Sequence, residues 1–212
     1  MTHSSAILRL ALAFGLSLAA ASTAAAGQLA PSPAKLMLRG AILRVAAPGE
    51  FIKLTLPDGS EGRLQANLVI RIRRAISSEG ERGAKTRIDW VQTMLVRETP
   101  EAVVTLIGAA LPSLGKLLLP DKSPIWFNAL AAEGPLPLPG DRLQEGVLSG
   151  MVLGNKLQYL ASAPQDVRDE IAARGGNSLP VPAPFKSLSP KEQGNARSMI
   201  APMEVWDADP AQ

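Results

Sequence analysis

Lys53-Leu54-Thr55-Leu56-Pro57-Asp58-Gly59-Ser60 recurs downstream as Lys116-Leu117-Leu118-Leu119-Pro120-Asp121-Lys122-Ser123, displaced by 63 positions (116 − 53). A second pair stands at the far end of each copy. Glu98-Thr99-Pro100-Glu101-Ala102-Val103 is answered by Ser162-Ala163-Pro164-Gln165-Asp166-Val167, displaced by 64 (164 − 100). Two anchors at nearly one offset predict a duplicated unit of about 60 residues, within the range of known internal repeats. In each copy the apolar run has the residue types of a strand. The Pro-Asp stretch after it is turn chemistry, because Pro presets φ and Gly accepts a positive φ.

Outward from the first copy of the turn, residues 51–56 and 63–66 read as a hairpin. Residues 68–73 follow as a strand with Ile70 and Ile72 on one face and Arg71 and Arg73 on the other. A polar, glycine-containing stretch over 77–83 reads as a loop, and 86–91 with 94–97 as a second hairpin. Thr99-Pro100-Glu101 opens a helix, with a hydroxyl at the N-cap, Pro in the first position and an acid in the positive first turn. Val103, Leu106, Ile107 and Ala110 recur at helical spacing and Pro112 ends the pattern.

The second copy keeps these ends better than the middle. A hairpin pairs 116–119 with 125–128, Gly154-Asn155 marks another hairpin turn, and a helix runs from Pro164 to the stop at Gly175-Gly176. Where the first copy has its arginine-bearing strand, the second has Glu133-Gly134-Pro135-Leu136-Pro137-Leu138-Pro139-Gly140, which is expected to stay out of a central strand. The predicted fold is α+β, with two tandem small modules, each a bent antiparallel sheet with one C-terminal helix. The expected boundaries are a signal peptide at 1–26, a leader with short strands at 27–48, modules at 49–111 and 112–176, and a Pro-rich disordered tail at 177–212.

The N-terminus carries one cation at Arg9, an apolar stretch over 10–21 and the small residues Ala24-Ala25-Ala26. That is the pattern of a cleaved signal peptide, too short to span a bilayer, and it places the mature chain in the periplasm or outside the cell. Cleavage after Ala26 removes His3, the only histidine, and the chain has no cysteine. The mature protein then has no disulfide, thiol nucleophile, histidine base or Cys/His zinc site. With Arg9 removed, 21 basic residues face 19 acidic ones, a net of +2. This is too weak a lean to imply nucleic acid. No cofactor and no membrane span after cleavage are expected.

Ile52-Lys53-Leu54-Thr55-Leu56-Pro57-Asp58-Gly59, Asn67 and Leu95-Val96-Arg97-Glu98-Thr99-Pro100-Glu101-Ala102-Val103 resemble the FlbD family of short flagellar-locus proteins. The resemblance covers about one unit and implies a fold only. That family is cytoplasmic, and no catalytic residue carries over from it.

Candidate binding residues are Arg71, Arg73 and Arg74 with Arg63 nearby, since alternation puts Arg71 and Arg73 on one face of a sheet, where guanidinium forks can hold carboxylates or phosphates. Pro135, Pro137 and Pro139 with Trp126 form a second candidate, a polyproline or aromatic partner surface. Asp58 and Asp121 are expected to bond their own turns instead of performing acid–base work. The segment bearing Gly146 and Gly150, which ends in the Gly154-Asn155 turn, reads as a glycine-bearing strand. The function expected is a non-enzymatic, exported protein that binds a protein or an anionic envelope polymer. The alternative is a small hydrolase using Asp89, Glu98, Asp141 and Glu145.

Overall fold

A computed structural model describes residues 35–38, 41–44, 51–79, 82–140 and 146–207. The expected signal peptide at 1–26 lies outside these residues. The first described strands, β1 (Lys35–Leu38) and β2 (Ala41–Arg44), pair antiparallel as the sequence predicts. Burial then alternates along β3 (Phe51–Thr55) and β4 (Glu61–Gln65), with Ile52, Leu54 and Leu64 inward and Lys53, Glu61 and Arg63 outward. After them come β5 (Arg71–Arg74), β6 (Thr86–Asp89), β7 (Thr93–Val96) and α1 (Pro100–Ile107). The next segment repeats that order in β8 (Leu114–Leu118), β9 (Pro124–Asn128), β10 (Ala132–Leu136), β11 (Ser149–Leu153), β12 (Lys156–Leu160) and α2 (Pro164–Ala173). The chain goes on to β13 (Asn177–Ser178) and α3 (Pro190–Ile200). The fold is mixed α and β, and no helix among the described residues is long and apolar enough to cross a membrane.

Hydrogen bonds recur along with the element order. Asp58 Oδ1 accepts from Ser60 N and Oγ at 2.8 and 2.6 Å, and Asp121 Oδ1 accepts from Ser123 N and Oγ at 2.9 and 2.6 Å. Both aspartates therefore serve their turns. Arg97 N donates to Thr55 O at 2.8 Å, as Ala161 N does to Leu118 O at 2.9 Å. Thr86 Oγ1 donates to Glu98 O at 2.6 Å, as Ser149 Oγ does to Ser162 O at 2.7 Å. The Thr55 amide reaches Glu98 Oε1 at 2.9 Å, and the Leu118 amide reaches Ser162 Oγ at 3.0 Å.

One difference between the turns has a measurable consequence. Gly59 stands at φ +91°, while Lys122, its counterpart, stands at φ +66°. A left-handed conformation costs a non-glycine residue about 1–2 kcal/mol, and the extra chain entropy of glycine offsets about 0.5–1 kcal/mol of any relief. Lys122→Gly is therefore expected to stabilise the protein by about 0.5–1 kcal/mol. A urea midpoint that stays put or falls would count against strain at this position.

The two segments do not keep separate sheets. One sheet has the order β7-β6-β5-β9-β8, so the hairpin that opens the second segment extends the strands of the first. β5 and β9 pair antiparallel through Arg71↔Phe127, Ile72↔Trp126 and Arg73↔Ile125. Alternation along β9 then serves two cores. Trp126 packs with Ile72, Ile88, Val103 and Ile107, while Ile125 and Phe127 pack with Leu117, Met151, Val167 and Ile171. Trp126 is 7% exposed, so it is a core residue and not part of a partner surface.

Both expected helices form where their signals lie. Thr99 caps α1 by accepting from Ala102 N, and α2 begins at Pro164 with Asp166 in its first turn. α2 ends as Gly175 takes φ +78°, with Gly175 N bonded to Ala172 O at 3.1 Å and Gly176 N to Ile171 O at 3.0 Å. This paired closure is the one glycine favours after a helix. Gly150 lies within β11, as the strand reading has it.

Two further expectations are corrected. The run Glu133–Gly140 is expected to stay out of a central strand, yet its first residues belong to β10, which lies between β11 and β13 in the order β12-β11-β10-β13. The ladder shifts register between Glu133 and Leu136, so Pro135 falls at the irregularity, where proline is tolerated within a sheet. Pro135 and Pro139 are buried and Pro137 is half-buried, while Leu136 and Leu138 pack into a third cluster. A protruding polyproline ligand is not what this run forms.

The second correction concerns 177–207, expected to be mostly disordered. Ser189 caps α3 by accepting from Glu192 N, and Glu192 Oε2 accepts from Ser189 N at 2.8 Å, a reciprocal capping box. Ile200, 2% exposed, then docks against Leu136, Leu138, Val147 and Leu157. A cap that nucleates the helix and an apolar residue that anchors it are enough to order this segment. Residues 208–212 lie outside the described part.

Candidate functional site

Ile70 is expected on the same face as Ile72, yet it precedes β5, the strand that carries the arginines, and packs against the second cluster. Along β5 itself Ile72 enters the first core, and Arg71 and Arg73 face the other way, as read from sequence. That other face is not solvent. Arg71 is 0% exposed and Arg73 is 2% exposed, which overturns the expected open surface. Three separate parts of the chain cover it: Glu79 from the turn after β5, Gln158 of β12, and Trp206-Asp207 from beyond α3.

Arg71 uses its whole fork. Its Nε donates to Asp89 Oδ2 at 2.6 Å, and Nη1 donates to Gln158 Oε1 at 2.8 Å. Nη1 and Nη2 also grip the two Asp207 oxygens at 2.6 and 2.8 Å, a bidentate pair. Arg73 Nη2 donates to Glu79 Oε1 at 2.5 Å and to Asp207 Oδ1 at 2.8 Å. Arg87 closes the circuit, donating to Glu79 Oε1 at 2.6 Å and to Asp89 Oδ1 at 2.9 Å, where Thr93 Oγ1 also donates at 2.9 Å. Three guanidiniums thus interleave with three carboxylates. The Trp206 ring lies 3.9 Å from the Arg71 guanidinium carbon and closes the cluster from above.

The electrostatics follow from this packing. Burial alone would push the Asp207 carboxyl up, but the hydrogen bonds and charge of Arg71, joined by Arg73, outweigh it and hold it down at about 2. Burial likewise opposes ionisation of Glu79, and the bonds from Arg73 and Arg87 again win and lower it. Arg87 is pushed down by burial but raised on balance by Glu79 and Asp89. A depressed carboxylate contributes stability that is present above its unfolded value of 3.8 and is lost only as the pH falls toward 2. Asp207 therefore stays clamped throughout the neutral range.

The remaining predicted residues stand apart. Arg74 and Arg63 are exposed, and Arg63 Nε meets only the exposed Glu61, at 3.3 Å. Of the carboxylates considered for hydrolysis, Asp89 is locked in the arginine cluster and Glu98 accepts the Thr55 amide. Asp141 and Glu145 lie outside the described residues. An open cleft of about 600 Å³ beside the first turn is lined by Leu56, Asp58, Arg82, Thr93 and Met94 among others; Asp58, the one acid among its described lining residues, is bonded to its own turn. Among the described residues no group of three or more Asp, Glu, His or Cys side chains is placed to hold a metal ion.

No protein-family model, curated protein or solved structure matches this chain. The site is read from its own chemistry.

Asp207 and Trp206 had no place in the sequence reading. Asp207 lies 136 positions from Arg71, and a Trp-Asp pair near a C-terminus carries no local signature. α3, by contrast, was signalled by Ser189-Pro190-Lys191-Glu192, the same kind of start that marks α1.

Proposed function

We propose that the protein is an exported, non-enzymatic binding protein of the cell envelope, made of two duplicated modules that present a composite surface to a protein or an anionic envelope polymer. The observation that carries this reading is the pattern of hydrogen bonds recurring at offsets of 63 and 64, from Asp58 and Asp121 to Thr86 and Ser149. Every polar residue repeated in this way closes a turn or joins a strand to the start of a helix. What has been duplicated is a scaffold, with modules at 49–111 and 112–176. The FlbD-like residues add a fold hint to this reading and no chemistry. The apolar leader with Ala24-Ala25-Ala26 supports export to the periplasm or beyond.

The hydrolase alternative has less support. Asp89 is held by two arginines and Glu98 accepts from the Thr55 amide, so neither of these carboxylates stands free to serve as a general base or acid. Both parts of the proposal can be tested on protein recovered from fractionated cells. The intact mass is expected to match a chain starting at Gly27, in the envelope or secreted fraction. The protein is also expected to co-sediment with isolated envelope fragments without releasing soluble products. Full-length protein confined to the cytoplasm would overturn export, and release of soluble fragments would restore the hydrolase.

A further inference from the structure

Residues 204–207 sit on the protein as a bound peptide would. β12 is an edge strand of its sheet, and the tail lies along it. Leu157 N donates to Glu204 O at 2.8 Å, Trp206 N donates to Leu157 O at 2.9 Å, and Val205 bridges Leu157 in parallel. Strand addition of this kind supplies affinity through main-chain bonds and leaves selectivity to the side chains. Here the side-chain contacts are specific. Trp206 lies against the Arg71 guanidinium while its Nε1 donates to Leu153 O at 3.0 Å. Asp207 fills the Arg71/Arg73 fork, and Glu204 pairs with Lys156 at 2.7 Å.

Charge says what the groove requires. Without the Asp207 carboxylate, Arg71, Arg73 and Arg87 would face only Glu79 and Asp89, leaving one positive charge unmatched once the Trp206-Asp207 cover is gone. An unmatched guanidinium attracts an anion, and its planar fork suits a carboxylate. We infer that the β12 edge and the Arg71/Arg73 clamp form a peptide-binding groove selective for an aromatic residue followed by an acidic one. The chain's own segment 204–207 fills it in cis, and an acidic segment of a partner protein takes it by exchange. This inference rests on the reading of the chain as a binding protein and names the chemistry of its partner.

A tethered occupant competes at an effective concentration in the millimolar range, so a free peptide meets a groove that is largely taken. The test uses full-length protein and a full-length Trp206→Ala/Asp207→Asn variant. The probe is a fluorescent synthetic peptide with the sequence of residues 201–207, Ala-Pro-Met-Glu-Val-Trp-Asp, followed by anisotropy. The variant is expected to bind it at least about ten-fold more tightly than wild type. The same peptide carrying Asp207→Asn is expected to lose about ten-fold or more against that variant, as a charged hydrogen-bonded pair is lost. Equal binding by the wild type and a folded variant would overturn the proposal, and so would indifference to the peptide's aspartate. Should the double variant fail to fold by near-ultraviolet circular dichroism, Asp207→Asn alone carries the same comparison with the same two overturning results. A wild-type dimer that the free peptide dissociates would assign the groove to the tail of a second copy and overturn the partner reading. Failure here would leave envelope co-sedimentation standing, because that experiment does not depend on the tail being displaced.

Discussion

Asp89→Ala is expected to destabilise the protein by about 3–5 kcal/mol, the usual cost of removing one partner of a buried ion pair. Asp89 takes Arg71 Nε on one oxygen, and both Arg87 and Thr93 on the other. Its loss leaves Arg71, fully buried on β5, with a charge that Asp207 alone balances from one side. The desolvation of Arg71 remains while half of its compensation disappears. Urea unfolding measures the effect, with Arg63→Ala as the control: Arg63 is exposed, so a change within about 0.5 kcal/mol is expected there. Adding Arg71→Met to Asp89→Ala is expected to recover part of the loss, because the uncompensated charge goes with it. A cost below about 1 kcal/mol for Asp89→Ala would mean that the cluster is better hydrated than its geometry implies.

The second large effect lies in the cores. Ile107→Ala and Ile171→Ala are each expected to cost about 2–5 kcal/mol, through lost burial and the cavity left behind. The two residues occupy matching places on α1 and α2, and both are fully buried. They belong to different clusters, one containing Ile72 and Trp126, the other Ile125 and Phe127. Because β9 sends adjacent side chains into both clusters and pairs with β5, a loss in one core weakens the strand that walls the other. Calorimetry of either variant is therefore expected to show one transition at a lowered temperature. Two separated transitions would mean that the segments fold as independent units despite the shared sheet, and near-neutral substitutions would mean that the helices are not docked.

The elements legible in the sequence are those decided within a few residues. Pro57-Asp58-Gly59-Ser60 and Pro120-Asp121-Lys122-Ser123 close their own turns. Thr99-Pro100-Glu101 starts its own helix, and Gly175-Gly176 stops one. Ser189-Pro190-Lys191-Glu192 was equally local, and α3 could have been read from it despite the proline-rich surroundings. Alternation along β5 also held, because side chains on a strand point to opposite faces whatever lies beyond them. What alternation cannot say is what covers each face. It separates Arg71 from Ile72, but only the fold brings Gln158, Glu79 and Trp206-Asp207 over the arginines, from as far as 136 positions away. Trp126 was open to the same ambiguity and became core because β9 joined β5. Pro135 entered a sheet because a register shift between Glu133 and Leu136 gave it a place that strand propensity does not foresee. The chain by itself determined its turns and helix starts, since those energies are short-range. Burial of the arginines, the course of the tail and the carboxylate clamp were decided by tertiary structure, since each depends on groups that meet only when distant strands and the C-terminal segment pack together.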